Sequence, residues 1–356
     1  MGPEVTEAAI QVLTAVAETV GMKLEVTQHD VGWAAMKVSG VPLPADTLEA
    51  SLAADAVFLG AVGHPEAPSA PSDLRPEAGL LQLRTELGCH TNLRPLKVMD
   101  ALASVSPLRE DRVRGVDLMI VRELSGGLYY GTPRGREDVG GRRSARNTLS
   151  YDEEQVARVA RRAFELAGSR KGRLVSVDKA NVLETSQLWR EVVEEVAQDY
   201  SAVTWEHMLV DRAAMELVLR PHSFDVLLTE NMFGDILSDE AAGVAGSLGL
   251  LPSASVGGIT PLFEPVHGSA PDIAGLGVAN PTGAILSAAM LLEHALGLPS
   301  TARAVEGAVA RAYAGGARTG DLVGPGVESL DTQAFTEVVI RGIVALAPEF
   351  RGERGA

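Results

Sequence analysis

Residues 173–229 open with Arg173-Leu-Val-Ser-Val-Asp178 and close with Ser223-Phe-Asp-Val-Leu-Leu-Thr229, and Val203-Thr-Trp-Glu-His-Met-Leu-Val210 lies between them. All three are apolar enough to read as strands: Leu174 to Val177, Val203 to Val210 and Phe224 to Thr229. The segments separating them read as helices, Ser186 to Tyr200 and Arg212 to Leu219. In the first helix Leu188, Val192 and Val196, with Trp189 and Val193, recur at helical spacing beside Glu191, Glu194 and Glu195, which predicts one buried and one wet face. The βαβαβ succession predicts parallel strands joined by right-handed crossovers, with helices covering the sheet.

Working outward, the first part of the chain repeats the theme. Glu4 to Val20 reads as a helix, Lys23 to Val26 as a strand, Ala45 to Ala54 as a helix and Ala56 to Ala61 as a strand. A helix opens at residue 2, with Pro3 suited to its first turn and Val5, Ala9, Val12, Leu13 and Val16 as its buried stripe. No strand precedes it, although a parallel α/β domain would place one there. Between Tyr130 and Leu149 the chain is dense in Gly, Arg and Pro without a clear period, which predicts an exposed arm or loop. A second Gly-rich stretch, Gly315 to Gly326, leads into an amphipathic helix from Thr332 to Leu346.

At 356 residues and 46% apolar the chain can form two domains with sizeable cores. A net charge of −16 without a basic block argues against a nucleic-acid partner, and any anionic substrate then needs a local arginine site. Cys89 is the only cysteine, so an intramolecular disulfide and a tetra-thiolate zinc site are excluded, in keeping with a reducing cytosol. The longest apolar run, Gly283 to Leu292, falls short of the roughly 20 residues that span a bilayer. Glu4 and Glu7 interrupt any signal-peptide pattern.

The chemistry-bearing residues follow the strand-like runs. In Asn231-Met-Phe-Gly-Asp-Ile-Leu-Ser-Asp239, Asp235 and Asp239 are four residues apart, on one face of a helix that Asp235 is expected to open after Gly234 breaks the strand. Ile236, Leu237 and Ala241 are expected to pack inward. Two such carboxylates suit a hard cation, Mg²⁺ or Mn²⁺, rather than zinc. Alternatively Asp235 favours the positive helix terminus and Asp239 is solvated. Asp211 is expected to close its strand as a third carboxylate. Arg84, Arg94 and Arg122 offer planar forks for carboxylates, or ordinary surface ion pairs. Leu80 and Leu81 precede Arg84 by four and three residues, so a ligand carrying a carboxylate and a branched alkyl group would suit that helix. Tyr129, in a glycine-rich turn, and Lys179, after a strand, could act as acid and base if their pKa values were lowered. His267 to Gly275 is a loop with backbone amides free for an anion. No G-x-G-x-x-G follows a strand, so a Rossmann dinucleotide site is not supported.

Taken in order, Asn92-Leu-Arg-Pro95, Val177 to Glu184, Asn231 to Asp239 and Glu264 to Gly275 resemble the β-decarboxylating dehydrogenases, most closely the isopropylmalate branch of that family. The likeness runs from Gly2 to about Phe335. It implies a two-domain α/β fold with a parallel or mixed sheet, a non-Rossmann NAD site and the first strand missing. Residues 1–89 with 246–356 would form a discontinuous dinucleotide-binding domain. Residues 90–245, with the arm near 130–149, would bind substrate and metal and make a homodimer. The resemblance implies oxidative decarboxylation of 3-isopropylmalate with NAD and Mg²⁺ or Mn²⁺, in active sites to which the partner chain gives Lys179 and Asp211. Arg84, Arg94 and Arg122 would hold the substrate carboxylates, and Asp211, Asp235 and Asp239 the metal. Tyr129, Lys179 and Asp211 would carry the chemistry. Glu77, Leu80, Leu81 and Val182 match the isopropyl pocket. His267, Gly268, Ser269, Ala270, Asp272, Ile273 and Asn280 match the adenosine site, where Asp272 would repel a 2′-phosphate and so select NAD.

The chain departs from that pattern in several places. The opening strand and its Gly-Asp-Gly-Ile turn are absent, which implies a misassigned start or an impaired protein. Trp33 stands where glycine is usual, Lys37 where aspartate is common, and Arg212 where a small or amide residue is expected and its charge would weaken the metal site. The rival expectations are a homoisocitrate, isocitrate or tartrate dehydrogenase, or a non-catalytic homologue lacking its first strand.

Overall fold

The computed structural model describes residues 1–67, 71, 74–324 and 326–346. Helices α1 (Gly2–Val20), α2 (Trp33–Ser39) and α3 (Ala45–Ala53) lead to β1 (Val57–Phe58), α4 (Pro76–Glu86) and β2 (Thr91–Lys97). A short α5 (Glu110–Val113) precedes β3 (Asp117–Glu123) and the pair β4 (Gly135–Val139) and β5 (Arg142–Arg146). The alternating segment is α6 (Glu153–Ser169), β6 (Arg173–Asp178), α7 (Glu184–Ala197), β7 (Thr204–Leu209), α8 (Val210–Leu219), β8 (Val226–Thr229) and α9 (Asn231–Ala245). Strands β9 (Pro252–Val256) and β10 (Leu262–Pro265) and helices α10 (Thr282–His294), α11 (Pro299–Ala314) and α12 (Thr332–Leu346) complete the order.

Eight strands form one mixed sheet in the order β1-β10-β9-β2-β3-β8-β6-β7. The expected parallel unit is present: β3, β8, β6 and β7 are mutually parallel neighbours. Antiparallel β9 and β2 bridge it to the other half, where β1 and β10 pair in parallel. Side chains alternate across this sheet, so successive residues enter different cores. Leu118, Ile120, Val175, Val177 and Leu227 join one core with α1, α8, α9 and α10 to α12. Met119, Val121, Leu174, Val226 and Leu228 join another beneath α6 and α7. Both faces are therefore covered, as continuous apolar strands require.

Several expectations need correction. Lys23 to Val26 is not a strand but an irregular segment, because no neighbouring strand hydrogen-bonds with it among the described residues. The strand expected from Ala56 to Ala61 shrinks to Val57–Phe58, its two register pairs with β10. The arm is an exposed hairpin, turned by Gly140 and Gly141 at φ 61 and 79. A Gly-Gly pair suits this two-residue turn because both positions need positive φ. Asp211 does not close a strand; it lies in the first turn of α8. Gly234 does not break the chain before a helix, since α9 already begins at Asn231 and is N-capped by Glu230, which accepts from the Phe233 N–H. The glycine is needed for packing, because an added Cβ would meet Thr229 Oγ1 and lie 2.6 Å from Arg122 Cγ. Leu237 and Ala241 pack inward as expected, whereas Ile236 is 58% exposed. It is displaced from the buried stripe of Leu237, Ala241 and Val244.

Candidate active site

The site grows from the carboxyl-end half of β3 and its neighbours. Arg122 on β3, Arg94 on β2 and Arg84 on α4 are all buried, so each needs a partner to hold its charge. Arg122 donates Nη1 to Asp235 Oδ1 at 2.6 Å, and Nε and Nη2 to Asn231 Oδ1 at 3.1 and 2.7 Å. Arg94 donates to Asn92 Oδ1 at 2.8 Å and to Ser238 Oγ at 2.5 Å, and lies 3.5 Å from Asp235 and 3.7 Å from Asp239. Arg84 is paired with Glu264 on β10. The three arginines are thus buried cations rather than surface ion pairs. Burial, together with the adjacent Arg122, pulls Arg94 down to about 10. Burial lowers Arg122 too, against the pull of Asp235. The charge density created here favours an incoming anion.

Asp235 and Asp239 lie one turn apart on α9, as their spacing predicts. Burial opposes ionisation of Asp235, but Arg122 and Arg94 outweigh it and hold its carboxyl below the usual value. Asp239 is pushed up by burial, with repulsion from Asp235 adding to it. Tyr129 donates its hydroxyl to Asp235 Oδ2 at 2.8 Å and faces Arg122 at 5.6 Å. Burial, then the bond to Asp235, pushes this phenol up to about 12, not down. Tyr129 is therefore a protonated hydrogen-bond donor at neutral pH.

Lys179 and Asp211 form a close ion pair beyond β6, at the start of α8. Among the described residues no three of His, Cys, Asp and Glu converge to hold a metal ion within one chain, so Asp211 does not join Asp235 and Asp239 there. The two α9 carboxylates supply hard oxygen donors for Mg²⁺ or Mn²⁺, but they are an incomplete ligand set. Arg212 does not lie free beside them: its Nε is 4.0 Å from Glu216 Oε1 on the same helix.

On α4, Glu77 is exposed and Leu80 and Leu81 are half-buried, one to two turns before Arg84. Val182, on the Lys179 loop, is 67% exposed. The dinucleotide-loop candidates follow β10. His267 is buried and its Nε2 has no hydrogen-bond partner among the described residues, while Nδ1 meets the Gly268 carbonyl at 3.0 Å. Burial lowers its pKa, so this is a neutral imidazole with a free nitrogen. Added bulk at Gly268 would meet nothing within 4 Å, Ala270 holds a strained φ of 35, and Asp272 is exposed with Ile273 half-buried. An open loop with an unused buried nitrogen and a projecting carboxylate fits a nucleoside with ribose hydroxyls. Asn280 is buried with its amide bonded to Asp321 at 3.1 Å and to the Thr282 N–H at 3.0 Å, so it braces the loop's far end.

Residue patterns missed the supports of this site. Asn231, Ser238 and Glu264 fix the three arginines, although all lie inside the quoted motifs. Glu4 accepts the Gly275 and Gly277 N–H groups at 3.1 and 2.8 Å, and only its place beside Pro3 at a helix start hinted at a task. Tyr151 is the least legible. Its hydroxyl accepts from the Asn231 N–H at 3.0 Å and bonds Glu230 Oε2 at 3.2 Å, which locks the start of α9.

The model of the isocitrate/isopropylmalate dehydrogenase family matches residues 1–339. The 3-isopropylmalate dehydrogenase of Salinibacter ruber is 55% identical over 335 residues, covering 94% of this chain and 90% of its own. That of Bacillus subtilis is 52% identical over 347 residues, 97% of this chain and 95% of its own. Among solved structures, isocitrate dehydrogenase from Methylococcus capsulatus superposes with a TM-score of 0.85 at 34% identity, over 96% of each chain. A β-decarboxylating dehydrogenase from Thermococcus kodakarensis gives 0.78 at 36% identity, over 99% of this chain and 96% of the other.

Proposed function

This chain belongs to the isocitrate/isopropylmalate dehydrogenase family, and from that premise we propose that it catalyses the NAD-dependent oxidative decarboxylation of 3-isopropylmalate to 2-oxo-4-methylpentanoate in leucine biosynthesis, in the cytoplasm. The observation that carries the reading is the convergence of buried Arg122 and Arg94 on Asp235, with Tyr129 on the same carboxylate. Arg84, Arg94 and Arg122 bind the two substrate carboxylates, and Leu80 and Leu81 receive the isopropyl group beside Glu77. A second carboxylated side chain, as in isocitrate, would be repelled by Glu77 and left unpaired among leucines.

Lys179 of the partner subunit, once its ammonium proton has passed to the paired Asp211 or to water, accepts the C2 hydroxyl proton as hydride leaves C2 for the dinucleotide. The C3–carboxylate bond then breaks, CO₂ departs, and the electron pair passes into an enolate. Tyr129, whose hydroxyl meets Asp235, returns a proton to C3. Asp235 and Asp239, with Asp211 of the partner subunit, would hold Mg²⁺ or Mn²⁺, which when bound acts as a Lewis acid for the developing negative charge. His267 to Ala270, Asp272, Ile273 and Asn280 hold the adenosine end.

The shared site makes the protein a homodimer. Supporting this, Met215 and Leu219 on α8 and Ile236 on α9 are exposed at 51%, 46% and 58%, and the two helices are packed neighbours. The lobes are residues 1–89 with 246–356 and residues 90–245; residues 347–356 lie outside the described ones. No helix among the described residues is long and apolar enough to cross a membrane. The test is NAD reduction by the purified protein with Mg²⁺ and 3-isopropylmalate, beside isocitrate, homoisocitrate and tartrate. Equal turnover of isocitrate refutes the pocket argument, and no turnover of any acid favours a non-catalytic role.

A further inference from the structure

Two of the departures noted in the sequence meet in space. The Trp33 ring stacks on His64, with centroids 4.9 Å apart and planes 8° from parallel, and Lys37 Nζ lies 5.8 Å from the Trp33 ring centre. The pair is built in by the backbone. The Trp33 N–H donates to the Val62 carbonyl at 3.2 Å, and Gly32, at φ 67, lies so close that an added Cβ would come within 2.7 Å of Val62 Cβ. Helix α2 is therefore fastened at its start to the segment that leaves the carboxyl end of β1, where α/β folds place their ligands.

That segment runs through the middle of the proposed site. An added Cβ at Gly63 would lie 3.3 Å from Glu77 Oε1 and 3.7 Å from Ser269 Oγ. Residue 63 thus stands between the alkyl pocket on α4 and the loop that follows β10. A hydride passing from substrate to dinucleotide must cross between those two, so the redox ring has to lie near this junction. His64 is the next residue, and its side chain is 30% exposed. The Trp33 indole Nε1 is buried and donates to no acceptor among the described residues, whereas buried indole N–H groups ordinarily find one.

We propose that the Trp33–His64 stack is an aromatic wall that receives the nicotinamide end of NAD. This inference rests on the NAD-dependent reading above. Planar rings stack by dispersion and quadrupole matching, and the place of this stack beside Gly63, between α4 and the loop after β10, assigns it to the nicotinamide-bearing half of the dinucleotide rather than the adenosine half.

The experiment is equilibrium binding of NADH and of ADP-ribose, which lacks the nicotinamide, to the full chain and to Trp33→Ala, Trp33→Phe and His64→Ala. The unmodified protein binds both ligands. Trp33→Ala weakens NADH about tenfold and leaves ADP-ribose within about twofold, while Trp33→Phe, which keeps a stacking ring, loses about threefold or less. His64→Ala, a change in a partly exposed loop residue, weakens NADH alone about threefold, so the question stays open to test if Trp33→Ala does not fold. Equal losses for both ligands would assign the pair a purely structural task and overturn the proposal, as would unchanged NADH binding in the alanine variants. Absence of binding of either ligand by the unmodified protein would instead overturn the NAD reading itself, and this proposal with it.

Discussion

Asn231→Ala isolates how Arg122 is held ready for its carboxylate. Asn231 is 1% exposed; its Oδ1 takes two N–H bonds from Arg122, and its Nδ2 donates to the Gly126 carbonyl at 3.0 Å. Removing the amide leaves Arg122 held by Asp235 alone and leaves a buried carbonyl without its partner. A hydrogen bond to a charged group is worth about 1.5–3 kcal/mol. The two bonds share one acceptor, so their joint contribution is taken as about 2 kcal/mol rather than twice that. At about 1.4 kcal/mol per tenfold, this corresponds to a fall in kcat/KM for 3-isopropylmalate of about 30-fold. The loss should appear mainly in the substrate KM, because a misdirected guanidinium weakens ground-state and transition-state binding alike. NADH affinity should be unchanged, since Asn231 lies on α9 and the proposed adenosine loop follows β10. The assay is initial-rate NADH formation over a range of substrate, with NADH binding measured separately. A kcat/KM within threefold of the original, or equal losses of substrate and NADH binding, would refute the reasoning.

The remaining predictions are shorter. Lys179→Met should lower kcat by about 10²-fold or more, the scale of a lost general base, with NAD binding spared; near-normal turnover removes the lysine from the mechanism. Asp272→Lys with Ile273→Tyr should shift the kcat/KM ratio toward NADP by replacing repulsion of a 2′-phosphate with attraction, and an unchanged ratio would mean that another element reads that position. Gly234→Ala should lower stability by about 1–3 kcal/mol in chemical denaturation, because the new methyl meets Thr229 and Arg122; a variant as stable as the original would show that α9 shifts freely. Burial pushes the Cys89 thiol up to about 11, so its reactive thiolate is scarce below that pH and increases only as pH rises toward it. Thiol-reagent kinetics at pH 8 should be slow until denaturant is added, and rapid labelling of the folded protein would contradict this burial.

The sequence determined what local chemistry can encode. Alternating strand-like and helical runs specified the parallel unit of β6, β7 and β8, and four-residue spacing put Asp235 and Asp239 on one helical face, because period and spacing act within a few residues. Local cues also misled. Gly234 reads as a breaker, yet it lies within α9, and the position is glycine because Arg122, distant in sequence, fills the space a side chain would need. Lys23 to Val26 has strand composition but no strand beside it among the described residues, and a strand is stabilised by its neighbours. Tertiary structure alone decided how the buried arginines are satisfied: Asn231 for Arg122, Ser238 for Arg94 and Glu264 for Arg84. It also reversed the expected direction for Tyr129, because burial stabilises the neutral phenol. The pairing of Trp33 with His64 likewise joins residues that sequence spacing does not relate. Such contacts depend on which strand ends the fold brings together, a property of the whole sheet order and not of any one segment.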